Sequence, residues 1–341
     1  MPSAHLKGHR SIWICLDKID GMHQARRERM KMTHSDELSA YMTFGRSDWA
    51  ALRSNTSLTL SDADISALRG LNEPITSAEV ADVYLPLTRL LNLHFSAARN
   101  LMHVKAEFLG RPARGSPYII ALAGSVAVGK STFARVLCAL LARWADHPRV
   151  ELVTTDGFLH SNCVLEERGL MRRKGFPESY DLPRMLRFLS AVKAAERDLE
   201  LPVYSHLIGD IMPSERQVVR QPDILVFEGL NVLHARGTAP VVVSDFFDFS
   251  IYLDADEADI QSWYVERFLG LQRTAFRDPA SYFHHYRDLP PRDAREVADR
   301  LWREHHRANL RENIQPTRTR ADVVLRKRSD HSVGEVWLRE T

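Results

Sequence analysis

Cysteine is scarce in this 341-residue chain, and its three positions, Cys15, Cys138 and Cys163, lie far apart. They make neither a C-x-x-C pair nor an even disulfide framework, so reduced thiols in a cytoplasmic protein are expected. Long apolar runs are also missing, since none approaches the ~20 residues of a membrane span. The short apolar patch from Ile12 to Leu16 is too small for a signal-peptide core, which argues against export. Nor is one sign of charge in surplus: 46 basic and 44 acidic residues leave a net charge of +2, with no long single-sign run. Bulk charge therefore gives no support to a nucleic-acid or membrane-surface role. There is no internal repeat and no low-complexity segment. What remains, 44% hydrophobic and 26% charged residues, is an ordinary globular composition, long enough for one large α/β domain.

One stretch organises the chain. The apolar run Pro117 to Ala123 leads into Gly124-Ser125-Val126-Ala127-Val128-Gly129-Lys130-Ser131-Thr132, and a helical pattern follows at Phe133, Val136, Leu137, Leu140 and Leu141. This is G-x-x-x-x-G-K-[ST] between a strand and a helix. The glycines allow backbone conformations closed to other residues, so that successive N–H groups turn inward around phosphate oxygens. The positive end of the following helix adds to the attraction. Lys130 would neutralise the outer phosphates and the Ser131 hydroxyl would ligate Mg²⁺. The plain alternative is a glycine turn with Lys130 merely solvated.

Residues 1–35 carry no sustained period and read as a poorly ordered tail, with Met22, Met30 and Met32 as alternative starts. Ser61 and Thr76 each open a helix-capping pattern, and a long helix is expected from Thr76 towards Phe108, bent at Pro86. Strands are expected at 149–155, 223–227 and 249–253, with helices at 182–199, 257–277 and 291–312 and two C-terminal strands at 322–326 and 332–338. Residues 157–180 read as loop. Strands alternating with helices predict a mainly parallel sheet flanked by helices, with ligands at the carboxyl ends of the strands. Asp156, Glu228 and the phosphate loop all fall at that edge. The expected organisation is a single kinase domain over 36–341, with a helical N-terminal segment (36–115) and a helical substrate-side segment (257–312).

Phosphoryl transfer needs a phosphate cradle, Mg²⁺, a group to orient or deprotonate the acceptor, and positive charge where negative charge builds up. Asp156, at a strand end beside the loop, is the candidate base. It could instead hold Mg²⁺ through water, or simply form an Asp-Gly turn. Glu228 suits a Mg²⁺-water or a structural role. Tyr264 and Arg267 share a helical face, where they could meet an acceptor and the transferring phosphate, or be a half-buried Tyr beside a solvated Arg. The cluster Arg168 to Lys174 reads as a solvated or phosphate-facing lid. The adjacent pairs His284-His285 and His305-His306 are poor metal pairs, because neighbours in sequence do not share a helix face.

Five motifs occur in order: Gly-Ser-Val-Ala-Val-Gly-Lys-Ser-Thr (124–132), Thr-Thr-Asp-Gly-Phe-Leu-His (154–160), Lys-Gly-Phe-Pro-Glu-Ser-Tyr-Asp (174–181), Pro-Val-Tyr-Ser-His (202–206) and Phe-Glu-Gly-Leu-Asn-Val-Leu (227–233). Together they resemble the bacterial type I pantothenate kinases, from about Tyr41 to the end of the chain. The resemblance implies a P-loop kinase fold and Mg²⁺·ATP-dependent phosphorylation of (R)-pantothenate, the first step of coenzyme A synthesis, by a cytoplasmic homodimer that coenzyme A inhibits. It also implies roles: Asp156 as base, Lys130 and Ser131 for phosphates and Mg²⁺, and Arg267 for transferred charge. Tyr204, His206 and Tyr264 would contact pantothenate, Arg135, Lys130 and His206 would meet coenzyme A, and Asn72 would lie near the adenine. Two positions depart from the pattern. His306 stands where the family usually has Asn, and Leu271 where some relatives have Phe, so substrate affinity and feedback strength transfer least directly. Two other readings stay open: another small-molecule kinase of uridine or phosphoribulose type, and a non-catalytic coenzyme A or nucleotide sensor.

Overall fold

The computed structural model describes residues 41–70, 73–112, 115–144, 149–235 and 241–340. The N-terminal tail and Asn72 lie outside the described residues. In chain order the elements are β1 (Tyr41–Gly45), α1 (Arg46–Ala51), α2 (Asp62–Leu68), α3 (Leu85–Phe108), β2 (Tyr118–Gly124), α4 (Lys130–Leu141), β3 (Val150–Thr154), α5 (Asn162–Glu167) and α6 (Leu182–Lys193). The chain continues with β4 (Leu199–Ser205), β5 (Asp210–Val219), β6 (Ile224–Glu228), β7 (Phe249–Asp254), α7 (Glu257–Arg273), α8 (Pro291–Leu301), β8 (Val323–Lys327) and β9 (Val333–Arg339).

Seven strands form one sheet in the order β1-β9-β8-β7-β2-β6-β3. The five from β3 to β8 pair in parallel, while β9 and β1 add an antiparallel edge. Every residue of β2, β6 and β7 is buried, as the apolar runs of a sheet covered on both faces require. Phe133, Val136, Leu137, Leu140 and Leu141 form the buried face of α4, so the spacing seen in the sequence is the packing face. From β2 the chain crosses through α4 to β3 on one side, and from β6 it crosses to β7 on the other. The reversal of direction opens a crevice at the carboxyl end of β2, where the phosphate loop begins.

Two local signals act as the sequence suggests. Ser61 forms a reciprocal capping box with Asp64, and the Thr76 hydroxyl accepts from Glu79 N. Glu79 does not complete its own box, because its carboxylate accepts from Val333 N at 2.9 Å and pairs with Arg46. Ahead of Pro86 the helix widens into a π turn at Val80–Tyr84. The proline lacks an N–H and its ring crowds the carbonyl one turn earlier, which the wide turn relieves.

Three segments differ from expectation. The helix from Leu182 stops at Lys193, and Ala195 and Asp198 turn the chain with φ of +55° and +53°. The polar stretch after His206 is β5, which pairs antiparallel with β4 as a separate two-stranded hairpin. Within 157–180, read as loop, lies the short helix α5.

Candidate active site

Register brings three strand ends together. Leu122 of β2 and Thr154 of β3 both flank Glu228 of β6, and the phosphate loop, Asp156 and Glu228 emerge from these strands at one edge. The loop takes left-handed backbone at Ala127 (φ +62°) and Gly129 (φ +95°). The glycine was readable from the motif. The alanine was not, because an alanine there costs roughly 1–2 kcal/mol and is kept only where the surrounding loop enforces it.

Lys130 is 8% exposed, and its Nζ donates to Ser125 O at 2.8 Å. Burial lowers its pKa; Glu228 and Asp156 oppose the shift, and Arg267 acts with it. Ser131 Oγ donates to Glu228 Oε1 at 3.2 Å, while Glu228 Oε2 is buried without a hydrogen-bond partner among the described residues. Burial raises the Glu228 pKa, with Lys130 the first opposing charge. A hydroxyl and a carboxylate, one of whose oxygens is buried and bare, make a hard oxygen donor set. That set suits Mg²⁺, which keeps several waters and binds through one or two carboxylates plus substrate phosphates. No group of three or more His, Cys, Asp and Glu gathers among the described residues, so no all-protein metal cage competes with this arrangement.

Asp156 sits half-buried in the turn after β3. Its neighbour Gly157 does more than turn the chain: a Cβ there would lie 2.6 Å from Pro202 O. The missing side chain lets β4 pack across the Asp156 turn, which delivers Tyr204 and His206. His206 Nε2 lies 3.7 Å from Asp156 Oδ2, and the His206 ring meets the edge of Tyr204 at 5.2 Å between centroids.

The other wall is α7 together with the helix that α8 begins. Tyr264 packs against His306 at 4.6 Å and Trp302 at 5.8 Å between ring centres. Trp302 and His306 bound a second π turn, Trp302–His306, which puts both rings towards Tyr264. Burial raises the Tyr264 hydroxyl pKa, so the phenol is a neutral hydrogen-bonding group. The Arg267 charge is felt at Lys130, His206, Tyr264 and His306, and Arg267 forms no ion pair among the described residues. Arg135 donates to Leu68 O at 3.0 Å and Thr132 Oγ1 at 3.1 Å, and its charge reaches Glu228. Leu271 packs instead in the apolar cluster around Phe268, Phe276 and Phe283. Lys130, Asp156, Glu228, His206 and Arg267 thus stand within electrostatic reach of one another, Tyr264 and His306 feel the same Arg267 charge, Ser131 and Tyr204 join through Glu228 and His206, and Arg135 is felt at Glu228.

Lys174 escaped the sequence reading as an individual residue. It donates to Asn162 Oδ1 at 2.6 Å and to Gly209 O, and stands 5.1 Å from the Tyr204 ring centre. The signal was its place before Gly175, whose φ of +90° turns the chain inward. The cluster around it, read as a lid, hid it among solvated arginines.

Burial, with His305 and Arg267 adding to it, pushes His306 down to about 4. Unfolded, it would titrate near 6.5. Between about pH 6.5 and 4 the unfolded chain binds the extra proton, so this residue's contribution to stability is lost as the pH falls through that window. In His306→Asn, denaturant midpoints measured from pH 7 to pH 4 should decline less steeply than in the wild type.

A family model described as Phosphoribulokinase / Uridine kinase family matches residues 119–267. The chain is 56% identical over 311 residues to a pantothenate kinase of Parvibaculum lavamentivorans, covering 90% of this chain and 95% of that one. It is 55% identical over 309 residues to a pantothenate kinase of Brevibacillus brevis, covering 89% and 97%. Among solved structures it is similar to a putative fructose transport system kinase from Silicibacter, at 26% identity and a TM-score of 0.47, covering 59% of this chain and 85% of that one.

Proposed function

The chain belongs to the pantothenate kinase family, and from that membership we propose that it transfers the γ-phosphoryl group of ATP to the primary hydroxyl of (R)-pantothenate. The observation that carries this reading is the convergence of a phosphate loop, an acid residue and a guanidinium without an ion pair among the described residues around Lys130. Asp156 accepts the hydroxyl proton, and Tyr204, His206, Tyr264 and His306 hold the acceptor by its polar groups. Lys130 and the loop amides balance the outer phosphates, and Arg267 meets the charge that spreads over the group in flight. Ser131 and Glu228 would hold Mg²⁺, which would supply positive charge to offset that of the phosphates. We take residues 36–341 as one kinase domain and place the reaction in the cytoplasm.

The test is ADP release from Mg²⁺·ATP across a panel of acceptors: pantothenate, uridine and ribulose 5-phosphate. Pantothenate alone should drive turnover. Release driven by uridine or ribulose 5-phosphate would move the chain to another kinase type.

We further propose feedback inhibition by coenzyme A, whose phosphates would compete for Lys130 and Arg135 beside His206. Inhibition that is competitive with ATP would support this, and inhibition that ATP does not relieve would remove it. We also propose a homodimer. Leu93, Leu101, Val104 and Phe108 stand 56%, 53%, 54% and 88% exposed on one face of α3, a contiguous apolar stripe of the kind that marks an interface. Leu101→Glu with Val104→Glu should halve the mass seen in sedimentation while leaving the fold intact. An unchanged mass would place the interface elsewhere.

A further inference from the structure

The phosphate loop has a support from outside its motif. Lys327 ends β8, two strands from β2, and its Nζ donates to Val128 O at 2.9 Å. Val128 is wholly buried, so its carbonyl needs an internal partner. Because a peptide unit is planar and trans, tying the Val128 carbonyl to Lys327 also fixes the Gly129 N–H in the opposite direction. This peptide joins Val128 to the left-handed Gly129, one residue past the left-handed Ala127, and the freedom of glycine leaves a flip of the peptide open. Gly129 answers to Lys327 as well as to the turn: a Cβ there would lie 2.9 Å from Nζ. The same ammonium stands 5.5 Å from the centre of the Trp263 ring. Trp263 in turn donates through Nε1 to Ser329 O at 3.1 Å, and it precedes Tyr264 on the helix that carries Arg267.

We propose that Lys327 is a positioning residue for phosphoryl transfer: it pins the Val128 carbonyl so that the loop amides face the nucleotide, and through Trp263 it seats the cradle against the Arg267 helix. A released peptide would turn its carbonyl oxygen towards phosphate oxygens and subtract a donor from the cradle. Burial lowers the Lys327 pKa, with Glu73 the first charge to oppose it, so the side chain is held in a dry setting rather than drawn to solvent. No sequence motif marks this lysine. Only the strand order brings it to the loop.

The inference rests on the nucleotide reading of the loop, and the test separates the two. ADP binding is measured by calorimetry on the full chain, beside the KM values for ATP and pantothenate and the melting temperature. Lys327→Met should weaken ADP binding about tenfold, since it leaves a buried acceptor unpaired, and raise the ATP KM in step while the pantothenate KM stays unchanged. Lys327→Gln keeps a neutral donor and should stay within about threefold of wild type. ADP affinity unchanged in a folded Lys327→Met overturns the proposal. So does an equal loss in both variants, which would assign the effect to charge near Glu73 rather than to the donated hydrogen bond. Should Lys327→Met fail to fold, Lys327→Gln decides alone: near-normal affinity supports the proposal and lost affinity in a folded protein overturns it. A wild-type chain that does not bind ADP would instead defeat the nucleotide reading itself.

Discussion

Asp156→Asn is expected to lower kcat by about 10²–10⁴-fold, the usual worth of a positioned general base, with little change in ATP affinity. The substitution keeps the shape of the side chain and removes only its ability to take a proton. The neighbouring carboxylate is no substitute, because Glu228 is buried, its Oε1 accepts from Ser131, and its bare Oε2 is the oxygen assigned to Mg²⁺. His206, 3.7 Å from Asp156, is the nearest other base. Its side chain is 72% exposed and is held by the edge of Tyr204 rather than by a hydrogen bond among the described residues, so it is less firmly aimed for that work. Steady-state kinetics as a function of Mg²⁺ also separates the two roles that the sequence left open. If Asp156 acts by holding Mg²⁺ through water, raising Mg²⁺ will restore much of the rate in the Asn variant. If it is the base, Mg²⁺ will not help. A variant with near-normal kcat would leave the reaction without its proton acceptor and force a different assignment.

Lys130→Met should cost about 10²–10³-fold in kcat and weaken ATP binding as well. Lys130 is a buried cation within electrostatic reach of Glu228 and Asp156, and its Nζ rests on the carbonyl of Ser125 within its own loop. A phosphate oxygen offers that ammonium a better partner than a carbonyl, because both members of the new pair are charged. Without it, Glu228 also loses the charge that most opposes the rise of its pKa. Lys130→Arg should rescue little. The longer planar guanidinium needs room that a site with 8% exposure does not give it. Single-turnover kinetics at saturating ATP isolates the loss in the chemical step from the loss in binding.

The parts of the fold that bury an uninterrupted apolar face could be read in advance. β2, β6 and β7 are buried on both faces, and α4 shows its core at Phe133, Val136, Leu137, Leu140 and Leu141, so composition and period agreed there. The β4–β5 hairpin could not, because β5 buries only Val219 fully and carries no alternation of apolar and polar residues. The end of α6 at Lys193 is set by two left-handed residues, Ala195 and Asp198, and neither is a glycine that would announce a stop. The candidate site residues on the motifs stand out in the sequence because chemistry and spacing coincide at Gly124 to Thr132 and at Asp156. Tyr204, Tyr264 and His306 needed the resemblance, since each alone looks like a half-buried ring. Lys174 and Lys327 needed the fold, because both reach the cleft by contacts across more than thirty residues of sequence.

The most direct measurement follows the phosphorus itself. The purified chain is incubated with Mg²⁺, ATP labelled at the γ-phosphate and (R)-pantothenate, and the products are resolved by ³¹P NMR. A new phosphomonoester coupled to the methylene of the primary alcohol is expected, formed in step with ADP and lost in Asp156→Asn. Tight binding of coenzyme A with no pantothenate-dependent ADP would contradict it, and would identify the cleft as a sensor rather than a kinase.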